Sequence, residues 1–243
     1  MSNHHPPIGE SPGKKEQVEA MFDSIAPRYD LLNRVLSFGI DQRWRRQAVD
    51  LLRDASPRRI LDVATGTADL ALQVLTLEPE KVIGVDISEE MLRIGRQKIS
   101  EAGEEARVEL RKGNSERLPF SDSQFDAALV AFGVRNFENL GRGLQEIQRV
   151  LRPGGKLVVL EFSHPRAFPV KQVYGFYSRY ILPRVGGAVS GDAGAYKYLP
   201  DSVAAFPDGE DFLSQLDSAG FGELLWKPLT FGVASLYRGT AQK

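Results

Sequence analysis

Arg59-Ile60-Leu61-Asp62-Val63-Ala64-Thr65-Gly66-Thr67-Ala68-Asp69-Leu70, followed by Lys81-Val82-Ile83-Gly84-Val85-Asp86, decides the fold. Each segment is a short aliphatic, β-branched run that closes on or near a carboxylate. The first then passes through a turn of small residues into a helical pattern. That is the opening of a βαβ unit with Asp62 and Asp86 near the tips of its two strands. Adjacent parallel strands lie about 4.8 Å apart. Both acids therefore face one crevice outside the carboxyl ends of the sheet, where open α/β sheets bind ligands.

The turn narrows the ligand. Ala64-Thr65-Gly66-Thr67-Ala68 has one glycine, whereas a dinucleotide fingerprint needs three to let the backbone approach a pyrophosphate. No Gly-Lys-Ser/Thr ending of a phosphate loop follows. Free N–H groups at Gly66 are expected to hold a carboxylate at the helix N-terminus. Asp86 is expected to accept hydrogen bonds from ribose hydroxyls, with Asp62 beside it. A carboxylate, an ammonium group and a ribose together describe S-adenosylmethionine. The alternative is that both acids merely cap loops.

Composition sets wider bounds. The chain has 243 residues, 42% hydrophobic and 26% charged, as expected of a globular protein. A net charge of −1 gives no electrostatic case for nucleic acid. Cysteine is absent, and the three histidines are His4, His5 and His164, so no metal site is expected. No apolar run approaches membrane-spanning length and no signal-peptide pattern opens the chain, so a cytoplasmic location is expected. A second copy of the chain is carried as a candidate partner.

Residues 1–13 read as a disordered tail and 14–243 as one domain. The domain opens with a helical cap over 14–57. Val18, Met21, Phe22 and Ile25 form one apolar stripe, Pro27 closes that helix, and a second covers Leu31 to Leu36. Asp41 is read as the N-cap of a third helix carrying Trp44, Ala48, Leu51 and Leu52. Strands at Ile60–Val63, Val82–Asp86, Arg107–Lys112, Phe125–Ala131 and Lys156–Glu161 alternate with helices at Asp69–Leu77, Glu89–Ser100 and Leu140–Leu151. An insertion over 162–206 breaks the alternation. A helix, Asp211–Ala219, and a hairpin of Glu223–Leu229 with Val233–Tyr237 complete the chain. The expected fold is α/β: a doubly wound, mostly parallel, Rossmann-like sheet with an antiparallel edge strand from the C-terminal hairpin.

Leu61-Asp62-Val63-Ala64-Thr65-Gly66-Thr67 resembles the nucleotide-binding motif of class I S-adenosylmethionine-dependent methyltransferases, with Ala64 and Ala68 where glycines are usual. Longer segments are more specific: Phe22 through Asn33, Ser37-Phe38-Gly39-Ile40, Trp44-Arg45, Gly113-Asn114-Ser115-Glu116, Leu118-Pro119-Phe120, Phe132-Gly133-Val134-Arg135-Asn136 and Leu160-Glu161-Phe162-Ser163. Together these resemble the ubiquinone/menaquinone biosynthesis C-methyltransferases from about Lys15 to the C-terminus. The resemblance implies methyl transfer to a ring carbon of a polyprenylated quinol. Demethylmenaquinol is the first choice of substrate, and a ubiquinone-branch benzoquinol or both together is the alternative. It also implies that Thr67, Asp86, Asn114 and Ser115 contact the cofactor.

The chemistry asks for little more than positioning, because a sulfonium methyl is already electrophilic. The acceptor carbon becomes nucleophilic when a neighbouring phenol, of ordinary pKa about 10, loses its proton. Arg135 is expected to stabilise the developing phenolate, and Asp30 or a water bound to it to take the proton. Tyr29 and Tyr196 are further catalytic candidates, with Tyr198 near the latter. The alternatives are that Asp30 caps the second helix and that Arg135 pairs with a surface acid. Within the insertion, Phe168, Val173, Phe176, Tyr180, Ile181 and Leu182 crowd among Arg166, Lys171 and Arg184. That mixture suits peripheral contact with the inner face of a membrane, the wall of a channel for an isoprenoid tail, or a helix packed on the sheet. Three other functions are weighed: methyl transfer to oxygen or nitrogen, a nicotinamide oxidoreductase, and a cofactor-binding protein without turnover.

Overall fold

The computed structural model describes residues 13–37, 39–177, 180 and 193–242, without the side chains of 32, 35, 36 and 193–197. The tail read over 1–13 thus lies outside the described residues except for Gly13, which precedes the first helix.

Seven strands form one sheet among the described residues, in the order β3-β2-β1-β4-β5-β7-β6. They are β1 (Arg59–Val63), β2 (Lys81–Asp86), β3 (Val108–Lys112), β4 (Phe125–Ala131), β5 (Leu151–Phe162), β6 (Phe221–Leu229) and β7 (Ala234–Ala241). The first five run parallel, and β1 lies between β2 and β4. The chain leaves β1 toward β2 and β3, then crosses back to β4 and β5. The reversal opens a crevice over the ends of β1 and β4.

Side chains alternate between two buried faces, which is why these strands read as continuous apolar runs. Leu61, Ala128 and Val130 face Leu144 and Ile147 of α6 (Leu140–Val150) and Phe212 of α8 (Glu210–Ser218). Ile60, Ala127 and Leu129 face Trp44 and Ala48 of α3 (Ile40–Asp50), Leu70 of α4 (Asp69–Gln73) and Leu92 of α5 (Glu89–Ala102).

Two expectations need correction. The antiparallel strand is not at the edge. β7 pairs antiparallel with both β5 and β6, so the edge strand β6 runs in the common direction. β7 is buried along nearly its whole length whereas β6 is partly exposed, so the more apolar strand takes the interior place. Asp41 is not an N-cap either. Gly39, with φ +73°, starts α3 two residues earlier and leaves Asp41 buried in the first turn. Pro27, rather than only ending a helix, opens the 3-10 turn Ala26–Arg28 between α1 (Lys14–Ile25) and α2 (Tyr29–Leu36). Pairing of β5 with β4 is interrupted by a bulge and resumes at Lys156.

The cap crosses the C-terminal ends of the strands. Ser88 Oγ donates to Asp23 at 2.6 Å, Lys112 pairs with Glu19 at 2.7 Å, and Lys14 donates to the Phe137 carbonyl at 2.7 Å. These bonds fasten α1 to α5, β3 and the loop after β4. Ile25 and Ala26 pack on Met91 of α5.

At the centre of β2 there is no room for a side chain. A Cβ on Gly84 would lie 2.5 Å from Leu110 and 2.8 Å from Thr65 Oγ1. Gly84→Val is expected to cost about 1–3 kcal/mol of stability by overpacking, read as a lower urea midpoint at unchanged slope.

Candidate active site

The turn after β1 carries left-handed backbone at Ala64 (φ +55°), Gly66 (φ +56°) and Ala68 (φ +67°). Two alanines thus hold conformations that glycine adopts freely, at about 1–2 kcal/mol each. Their methyl groups fit because glycines face them. A Cβ on Gly133 would come within 2.5 Å of Ala64 Cβ, and one on Gly95 within 3.2 Å of Ala68 Cβ.

Three of the turn's N–H groups, Gly66 among them, are not free, contrary to expectation. Thr65 N–H donates to the Val85 carbonyl at 3.1 Å and Ala68 N–H to the Thr65 carbonyl at 3.0 Å. Gly66 N–H donates to Asp86 Oδ2 at 2.8 Å, and Ser88 N–H to Asp86 Oδ1 at 2.9 Å. Two strand tips 20 residues apart are stitched together through one carboxylate. Burial raises the Asp86 pKa, and the N–H donors oppose that rise.

Asp62 is the more exceptional group. Its Oδ2 accepts from Thr65 Oγ1 at 2.6 Å, while Oδ1 is buried with no partner among the described residues. Burial pushes its pKa up to about 7. An unpartnered buried carboxylate oxygen is costly and matches an ammonium group. Asp86 keeps lone pairs toward a cleft of about 700 Å³, which is also lined by Ile87, Met91, Asn114 and Ser115. S-adenosylmethionine, with its ammonium, ribose and flat base, fits these residues.

A second cavity of about 1240 Å³ adjoins the first at Phe132, and it is apolar. Phe132 and Phe162 stack at 4.6 Å, and Trp44 closes on both at 6.2 and 6.4 Å. Tyr174 and Tyr177 form a further wall. Tyr174 is in α7 (Val170–Phe176), which belongs to the insertion.

The structure separates the catalytic candidates. Tyr29 lines the cleft and stays near Arg135, Arg45 and Asp86, and burial raises its phenol pKa. Asp30 turns away. It accepts from Thr67 Oγ1 at 2.6 Å and pairs with Lys98 at 2.5 Å, and Lys98 also donates to Thr67 and Asp69. This network ties α2 to the turn and uses the Thr67 hydroxyl. Neither helix capping nor an open base describes Asp30. Arg135 is half of a buried pair: its side chain is 7% exposed and that of Glu161 is 0% exposed, at 2.8 Å. Arg135 also donates to the Phe132 carbonyl and, at 3.3 Å, to Ser202 Oγ. Burial raises the Glu161 pKa and Arg135 opposes it. The side chain of Tyr196 lies outside the described residues, while Tyr198 donates to Asn136 at 3.1 Å.

Sequence reasoning missed Glu161 and the Asp41–Arg45 pair. An acid ending the apolar run of β5 was a signal for the first, and an i, i+4 acid–base pair beside Trp44 for the second.

Residues 11–241 match the ubiE/COQ5 methyltransferase family.

The chain belongs to the ubiE/COQ5 methyltransferase family.

It is 46% identical over 228 residues to the demethylmenaquinone methyltransferase of Bacteroides fragilis, covering 93% of each chain. It is 47% identical to the ubiquinone/menaquinone biosynthesis C-methyltransferase UbiE of Geobacter sulfurreducens, covering 93% of this chain and 89% of that one. A solved S-adenosylmethionine-dependent methyltransferase of Thermotoga maritima superposes with a TM-score of 0.63, over 92% of this chain and 99% of its own. At 24% identity that likeness carries the fold alone.

In this ubiE/COQ5 family member the raised Asp62 pKa has a measurable sign. Below about 7 the ligand-free carboxyl is protonated, so an ammonium bound at Oδ1 is expected to drive the proton off. Calorimetry with S-adenosylhomocysteine at pH 6, in buffers of different ionisation enthalpy, is expected to show about one proton released per ligand bound. Asp62→Asn should remove most of that release.

Proposed function

We propose that this protein transfers the methyl group of S-adenosylmethionine to a ring carbon of a polyprenylated demethylmenaquinol. The observation that carries the reading is the apolar cavity beside the nucleotide cleft, with Phe132 in both walls. A fused aromatic ring and an isoprenoid tail need such a cavity, and a small polar acceptor does not. The names of both relatives support the same chemistry.

The methyl donor supplies the electrophilic carbon. Asp62 receives its ammonium, Asp86 its ribose hydroxyls, and Asn114, Ser115, Ile87 and Met91 enclose the remainder. Phe132, Phe162 and Trp44 hold the quinol ring and keep water out, so that donor and acceptor meet in line. Such positioning supplies up to about 7–11 kcal/mol. Tyr29, kept protonated by burial, is a hydrogen-bond donor in the wall of the nucleotide cleft. Arg135, held by Glu161, fixes the loop that carries Phe132. In sum, a ring C–H bond and the methyl–sulfur bond break, a ring C–CH3 bond forms, a neutral thioether leaves, and one proton goes to solvent.

Incubation with methyl-deuterated S-adenosylmethionine and demethylmenaquinol is expected to give a product that keeps the label under conditions that cleave methyl ethers. Label lost under those conditions would establish O-methylation instead. A prenylated benzoquinol run in parallel should turn over more slowly, and faster turnover would place the chain on the ubiquinone branch.

The tail of the proposed substrate supports a further reading, contact with a membrane surface. No helix among the described residues is long and apolar enough to cross one. Yet Phe168 is 83% exposed, Phe231 79%, Val173 66% and Phe176 59%. On α7, Phe176 faces outward, Tyr174 lines the cavity, and Val173 sits on the cavity rim with most of its surface exposed. Arg166 and Lys171 lie alongside as exposed cations. This surface fits the headgroup region of an anionic bilayer. Ile181, Leu182 and Arg184 lie outside the described residues. Phe168→Asp with Phe176→Asp is expected to lower co-sedimentation with anionic liposomes while leaving turnover of a short-tailed quinol intact.

A further inference from the structure

We propose that Arg45, positioned by Asp41, is the cation that stabilises the ring oxygen of the substrate during methyl transfer. The inference rests on the quinol reading of the apolar cavity.

Two buried arginines lie near the reaction space, and their placement differs. Arg135 spends three donors on Glu161, the Phe132 carbonyl and Ser202, and it lines neither the nucleotide cleft nor the apolar cavity. Arg45 donates only to Asp41 among the described residues. A guanidinium carries five N–H donors in a fixed fork, so Arg45 keeps several unused. It is no surface cation in contact with water, because its side chain and that of Asp41 are each 8% exposed. Arg45 lines the apolar cavity and also the small cleft formed by Tyr29, Asp62 and Gly66. It therefore stands where the acceptor ring meets the methyl donor. Its guanidinium lies 5.7 Å from the Phe132 ring centre, on the wall expected to carry the quinol.

Asp41 makes the arrangement tenable. It accepts from Ser37 at 2.7 Å and from Arg45, so the ion pair carries no net charge before substrate binds. The other groups facing Arg45 are Asp69 on α4 at 4.0 Å, Asp62 on β1, and Tyr29 on α2. A quinol hydroxyl offered to the spare N–H groups loses its proton to water in the cavity mouth. Its electron pair then raises the nucleophilicity of the adjacent ring carbon. After the C–C bond forms, that carbon releases its hydrogen as a proton and the oxygen regains one.

The test uses 1-naphthol, which does not oxidise as a quinol does. Its naphtholate absorbance is followed against pH on the full chain saturated with S-adenosylhomocysteine. In the unaltered protein the pKa of bound naphthol is expected to fall by about 1–3 units relative to free naphthol, as for a phenol beside a cation. Arg45→Met should abolish the fall, and Arg45→Lys, which keeps the charge, should retain part of it. The alkaline shift should reappear in the acid limb of the kcat–pH profile of Arg45→Met. A role confined to packing would lower activity without moving either pKa. An unshifted pKa in the unaltered protein overturns the proposal even if Arg45→Met does not fold. A shift that survives in Arg45→Met overturns it too. Saturable naphthol binding in either case leaves the cavity reading standing. Absence of saturable binding overturns the cavity reading and this inference together.

Discussion

One carboxylate anchors everything on the functional edge of the sheet. Asp86 accepts the Gly66 and Ser88 N–H groups, and so joins the turn after β1 to the start of α5. That bond is possible only because β1 and β2 are adjacent and in register, with Val63 opposite Val85. It also takes up the N–H that would otherwise have bound an anion. The cleft consequently offers a carboxylate where a free N–H would have been, and its chemistry favours a cationic, ribose-bearing ligand over a phosphate.

The cap is built onto this anchor. Ser88 Oγ accepts from the Met91 N–H as the N-cap of α5 and donates to Asp23 of α1. Asp30 reaches the other side of the same turn through Thr67 and Lys98. Exposed ion pairs are worth little on their own, but these are partly shielded and share partners. They hold aromatic and aliphatic residues of the cap over the cleft. The same scaffold sets Tyr29 in the wall of the nucleotide cleft.

Buried ion pairs deserve separate treatment from the hydrophobic core. Burying two charges costs about as much as their attraction returns, so such a pair is weak evidence for stability, whereas losing one partner is expensive. Arg135–Glu161 and Arg45–Asp41 are nearly equally buried. What distinguishes them is placement: Arg45 lines the apolar cavity and Arg135 does not. The first pair ties the end of β5 to the loop after β4. The second leaves donors facing a space large enough for an aromatic ring.

The sequence alone determined the parallel part of the sheet, the position of its crevice and the acids at the two strand tips. Those features depend on short-range signals: apolar runs of strand length, small-residue turns and Ser88 as a helix cap. It also marked out Asn114 and Ser115, which line the cleft with Asp86. Tertiary structure alone decided how the side chains are used. Asp30 and Arg135 stand in segments that face the site, yet their partners Lys98 and Glu161 lie 68 and 26 residues away along the chain. Arg45 reads as one cation in a polar helix until β4 and β5 bring Phe132 and Phe162 against Trp44. Whether an acid is a base, a latch or a ligand is fixed by which charges and donors surround it after folding. Periodicity records only the face on which it begins.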